Sequence, residues 1–150
     1  MILERSTLVL VLPLALLGIF PASAAVNASD IIQRAIDGVV RPAYAGLHQH
    51  AEALTQAMHR LCEAPSQGEL DAVRAEFSAT VYAWSSAEII GFGPIKENNR
   101  LERTLYWPDR KSIGLKQVQA ALAGKDPTAT DPAQLAGKSV AMQGLGALET

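Results

Sequence analysis

The side chains of this 150-residue chain that could hold a metal or move a proton are few and scattered. There are three histidines, His48, His50 and His59, and one cysteine, Cys62. His48 and Glu52 stand four residues apart in a stretch of helical apolar spacing. On a helix they share a face and could hold a cation between them. His50 falls about 200° round the same helix from His48 and cannot join the pair. Two donors are too few, because a structural zinc takes four protein ligands and a catalytic zinc usually three. The simpler reading is an i, i+4 ion pair on a solvated face, with His59 a surface residue. A lone thiol in an apolar helix is expected to be buried and inert. One cysteine allows neither an internal disulfide nor a cysteine zinc ribbon.

Four carboxylates lie in Glu88–Asp109, EIIGFGPIKENNRLERTLYWPD, the stretch around which the chain is organised. It holds Gly91, Gly93, Pro94 and Pro108 together with Phe92, Tyr106 and Trp107. An aromatic, charged connector bounded by Pro and Gly has two jobs open to it. It can plug the end of a helix bundle with its rings. It can also line a cleft, built from Trp84, Glu88, Pro94, Trp107 and Asp109. Glu88, Glu97, Glu102 and Asp109 could serve a hard cation or acid–base chemistry. Lys96, Arg100, Arg103 and Arg110 are interleaved with them, so ion pairing is the simpler account. Glu88 follows Trp84 by one turn, near the buried end of its helix, and a carboxylate there must be paired or neutralised. Ser85 and Ser86 have no histidine nearby and no G-x-S-x-G elbow. Neither H-E-x-x-H nor a phosphate-cradling glycine loop occurs.

The elements that must position these residues are helical. Leu8–Phe20 has the length of a signal-peptide core and ends at Pro21-Ala22-Ser23-Ala24, which predicts export and cleavage after Ala24. Residues 1–24 are thus read as a signal peptide and 25–150 as the domain. Ser29 or Asp30 is placed to cap a helix from Ile31, which Pro42 should kink or restart. A second helix runs from Tyr44 to about Glu63, with Leu47, Ala51, Leu54, Met58 and Leu61 at threes and fours. Ser66-Gln67-Gly68-Glu69 has the form of a capping box and opens a helix to about Ile89. Leu70, Val73, Phe77, Val81 and Trp84 are its apolar stripe. The short break at Ala64–Ser66 makes these two helices antiparallel neighbours. Shorter helices follow over Ser112–Leu122 and, after Asp131 as N-cap and Pro132 at the first position, over Ala133–Ala136. A last one starts near Ser139, carries Val140, Met142, Leu145 and Leu148, and stops at Thr150 inside its pattern. No stretch alternates with period two. The expected class is all-α, an up-and-down helical bundle whose last helix is cut short.

Several pieces, in order, resemble the imelysin family, also called peptidase M75-like. They are Arg41-Pro42-Ala43-Tyr44, Leu61-Cys62-Glu63-Ala64-Pro65-Ser66, Trp84 with Glu88 ahead of Phe92-Gly93-Pro94-Ile95, Tyr106-Trp107-Pro108-Asp109, and Ser139 through Glu149. The resemblance implies an exported bacterial protein of the periplasm or outer membrane, built from two helical bundles and linked to iron uptake. It implies that this chain covers the first bundle, incompletely. It also implies a G-x-H-x-x-E metal motif, which falls here on Gly144–Glu149 with Gly146 at the histidine position. Glu149 is then one carboxylate without its partner. The metal candidates are therefore Glu149, from the degenerate motif, and the His48–Glu52 decoy pair.

The function expected is a binding or accessory role in the cell envelope, linked to iron uptake. A metallopeptidase-like activity and a non-functional truncated fragment are the alternatives. Iron or zinc is implied for the full-length family, while no catalytic residue and no tight metal site is expected in this chain. Iron-uptake components or a small ligand are the implied partners. With a net charge of −2 and no basic run, nucleic acid is not among them. No transmembrane span is expected in the mature chain.

Overall fold

A computed structural model describes residues 27–150, so the signal-peptide reading of Leu8–Ala24 lies outside the described residues. Asn27, not Ser29 or Asp30, caps the first helix: its side chain accepts the Ser29 N–H at 3.0 Å, and α1 runs Ala28–Ala35. Pro42 has no N–H, and in an α-helix its ring would meet the carbonyl four residues back. The chain meets this with a π turn over Ile36–Val40, in which the Arg41 N–H donates to the Ile36 carbonyl. The backbone stays helical through the turn, and α2 resumes as Arg41–Glu63 with Pro42 in its first turn. Pro42 therefore restarts the α-helix without breaking the rod.

Ser66 caps α3, Gln67–Ala87, by accepting the Glu69 N–H at 3.2 Å. Only this half of the expected box forms, because the Glu69 carboxylate pairs with Arg60 of α2 at 3.3 Å. The two helices lie side by side, with Leu54 and Ala57 of α2 and Thr80, Trp84 and Ala87 of α3 buried. Thr80 takes the place expected of Val81, which is exposed. The steps 70, 73, 77, 80, 84, 87 keep the three-and-four rhythm better than a step to 81. The Thr80 hydroxyl is tolerated there because it donates to the Glu76 carbonyl at 2.8 Å and lies 3.1 Å from that of His50.

A hairpin turned at Ala64–Ser66 brings Ala87 level with Ala43 and Tyr44, and these pack on the core of Trp84, Ala87 and Leu145. The described helix before that level, residues 28–42, overhangs α3. The overhang is roughly 20 Å of helix at 1.5 Å per residue. Neither α1 nor the π turn buries a residue, although Ile31, Ile32 and Val39 lie along them, all more than half exposed.

The rest of the chain is a cap of short pieces at the open end of the hairpin. A 3₁₀ stretch, Gly93–Asn99, leads into α4, Arg100–Thr104, then α5, Ile113–Ala123. After a 3₁₀ turn, Pro127–Ala129, come α6, Pro132–Leu135, a second turn, Val140–Met142, and α7, Gly144–Glu149. The last helix expected from Ser139 is thus cut in two. Gln143 is extended and Gly144 has φ +68°. The cause is tertiary: a Cβ on Gly144 would run into the Arg103 and Thr104 carbonyl oxygens of α4. The Gln143 side chain fastens the break, its Oε1 accepting from Arg103 at 3.0 Å and its Nε2 donating to the Lys138 carbonyl at 2.9 Å. The architecture is an all-α helical bundle, with no strand among the described residues. No helix among them is long and apolar enough to cross a membrane.

Candidate functional site

Asp109 follows the extended turn at Tyr106–Pro108 and reaches forward over the start of α5. Its carboxylate accepts the N–H groups of Ile113 at 2.6 Å, Gly114 at 2.9 Å and Leu115 at 3.4 Å. It thus caps α5, a role that its position before Ser112 hides from a sequence reading. Gly114 is buried, and a Cβ there would stand 2.6 Å from the Ala141 carbonyl oxygen. The missing side chain lets α5 close on the Val140–Met142 turn and brings α7 alongside. Between them lies a cavity of about 380 Å³, lined among others by Tyr106, Trp107, Asp109, Gly146 and Glu149.

Two groups of sequence candidates therefore meet in one place: Trp107 and Asp109 from the central stretch, Gly146 and Glu149 from the motif-like segment. The other three cleft candidates lie elsewhere. Trp84 is 2% exposed in the hairpin core, its indole N–H without a hydrogen-bond partner among the described residues. Glu88 is exposed at the end of α3, away from the buried setting expected for it. Pro94 lines a separate apolar pocket of about 350 Å³ with Tyr44, Ile90 and Phe92. The aromatic plug is not made either, since Phe92 and Trp107 are both exposed.

His48 and Glu52 form the pair their spacing implies, 3.7 Å apart on an exposed face. His50 turns the other way, towards Glu76 of α3 at 4.0 Å, and His59 is on the surface. Cys62 is exposed, not buried, because it lies in the last turn of α2 beyond the reach of the core. Of the basic residues in the central stretch, Arg100 pairs with Glu97 at 3.3 Å. Arg103 does something the sequence reading missed. It donates to the carbonyls of Asn98 at 3.0 Å and Ala136 at 2.8 Å and to the Gln143 side chain, tying the 3₁₀ stretch and α6 to the approach of α7. The only sequence signal for this was an Arg followed, 40 residues on, by a Gln inside an apolar pattern.

Past the other end of α5, Lys138 meets Asp126 at 2.8 Å. Lys138, with the Thr128 hydroxyl and N–H, lowers the Asp126 carboxyl to about 2. Asp131 caps α6 through the Ala133 N–H and is also lowered, chiefly by the Gln134 side chain and then by that amide. Both are structural caps outside the cavity.

With this geometry in place, comparison with known proteins gives a family. The family model described as Imelysin matches residues 40–150, from the end of the π turn through α7. The chain belongs to the imelysin family. No curated protein and no solved structure matches it. The donor set does not fit the resident metal that the motif would imply. Gly146 offers no ligand, both Asp109 oxygens are committed to α5 amides, and Glu149 remains as one carboxylate. Among the described residues no three His, Cys, Asp or Glu side chains converge.

Proposed function

We propose that this imelysin-family chain is an exported cell-envelope protein with a binding or accessory role linked to iron uptake. Residues 1–24 act as the export signal, and cleavage after Ala24 releases residues 25–150. One observation supports a binding role most directly: the motif-like segment and the Trp107–Asp109 turn line a single cavity. An exposed indole beside a carboxylate with free oxygens, Glu149, suits a small polar or cationic ligand better than it suits catalysis. A peptidase reading is not favoured, because it needs a polarising metal or an activated nucleophile and Gly146 supplies neither.

The test is calorimetric titration of the protein with zinc and with ferrous iron, alongside Gly146→His. A Cβ at Gly146 meets only Leu105 Cδ1, at 3.8 Å, so the backbone there accepts a side chain. It would share a face of α7 with Glu149, three residues on. Wild type is expected to bind neither metal stoichiometrically, and Gly146→His to gain measurable zinc affinity. Stoichiometric binding by wild type at micromolar affinity or better would overturn this reading of the site. Loss of that binding in His48→Ala would move the site to the surface pair.

A further inference from the structure

A larger cavity lies on the opposite side of α7 from the site just described. Gly144, Ala147 and Leu148 line it, while Gly146 and Glu149 line the other, as a step of about 100° per residue requires. It is a groove of about 720 Å³ between α5, the Pro127–Leu135 segment and α7. Val118, Leu122, Leu135, Met142 and Leu148 form apolar walls, and Lys125 stands at the turn that closes α5. Leu122 is 68% exposed, an unusual state for a leucine in a helix that packs against its neighbours.

The charges around the groove are unequal. Asp126 is engaged by Lys138 at 2.8 Å and by the Thr128 hydroxyl and N–H at 2.6 and 2.9 Å. Lys125 makes no ion pair among the described residues. The groove therefore presents apolar walls and one uncompensated ammonium. The backbone at this lysine is a second, independent sign. The Asp126 N–H donates to the Ala121 carbonyl and the Lys125 N–H to that of Leu122, the bonding of a Schellman motif. That places Lys125 at the left-handed position, φ +47°, where glycine is favoured. A glycine is available next door, but Gly124 has φ −79° and its freedom is unused. A lysine at this position costs stability that a glycine would not.

We propose that this groove binds a single-chain amphiphile with an anionic head, a carboxylate, its chain against Leu122, Leu135, Met142 and Leu148 and its head on the Lys125 ammonium. The volume suits a small-ligand site, and an ion pair at the rim of apolar walls is the expected recognition chemistry. This site is independent of the cavity at Glu149 and of its metal chemistry.

The experiment is titration of the full chain with dodecanoate and with dodecyltrimethylammonium, both below their micellar concentrations, and with phosphatidylglycerol vesicles. Dodecanoate is expected to bind saturably, one per chain, and the cationic analogue at least about tenfold more weakly. Lys125→Gly should lower dodecanoate affinity by about tenfold, the scale of one charge-assisted contact, while melting no lower than wild type. Leu135→Asp should abolish binding. Equal affinity for both heads, or unchanged binding in Lys125→Gly, would overturn the proposal. So would binding to vesicles without binding to monomeric dodecanoate. Self-association that Leu122→Asp disrupts, without any dodecanoate binding, would assign the groove to a second copy instead.

Discussion

Gly144 sets the joint between α4 and α7 although it carries no side chain. Its left-handed backbone turns the extended Gln143 into α7, and its missing side chain lets α7 sit against the carbonyls ending α4. Gly144→Ala asks for an unfavourable φ and a steric overlap with Arg103 and Thr104 carbonyl oxygens together. The expected cost is about 3 kcal/mol or more, read as a lower urea midpoint. Gln143→Ala, which loses the side-chain hydrogen bonds at the same joint, should cost less, about 1 kcal/mol. Gly144 was visible in the sequence as the first residue of a motif. What was not visible is that it ends one piece and begins another, because Val140, Met142, Leu145 and Leu148 keep a passable helical spacing across the break. Its conformation is dictated by α4, about 40 residues earlier in the chain, and no local pattern records that. Asp109 was equally concealed: four residues ahead of the helix it caps, it reads as a member of an acidic cluster.

Among the elements, those with capping chemistry were the legible ones. Ser66 and Asp131 announce α3 and α6, and the structure places both at the caps. The π turn was not legible, since Pro42 tells that the α-helix must adjust and not how. The Pro127–Ala129 turn is held by an ion pair twelve residues long in sequence, which periodicity cannot show. Its energetics have a pH signature. Asp126 titrates near 2 in the folded protein against about 3.9 in an unfolded chain. A depressed carboxyl contributes stability above its unfolded value, and that contribution is lost as pH falls from about 4 towards 2. Lys138→Met removes the largest cause of the depression. The urea midpoint of this variant should therefore fall less steeply than wild type between pH 4 and 2 and be lower than wild type at pH 6. The lowered carboxyl of Asp131, held by Gln134, leaves part of the slope in place. Identical slopes would show that the pair does not hold the turn.

At the scale of the molecule, the chain is one long hairpin with a cap of short helices at its open end. The hairpin and the all-α class were readable from spacing alone. The cap was not, because its pieces are each under four turns and owe their directions to Arg103, Gln143 and Asp109. The two tryptophans report on the division. Trp84 is buried where hairpin and cap meet, and Trp107 is 77% exposed on the cap. Iodide should quench one of the two and spare the other, and Trp107→Phe should leave blue-shifted emission that iodide barely reaches. Equal quenching of both rings would mean that the cap does not close on the hairpin.

The overhang at the start of the hairpin has a consequence for how the molecule is attacked. Backbone hydrogen bonds that no packing shields open with little free energy, and an opened helix is what a protease cuts. Trypsin at low dose should therefore cleave first after Arg34, on α1, which buries no residue among the described ones, and much later after Arg60 or Arg74 in the paired hairpin. The amide protons of Ala28–Ala35 should exchange with solvent long before those around Leu54 and Trp84. A partner seated on this helix would reverse that order, so the rate of a single cut would report whether α1 is occupied.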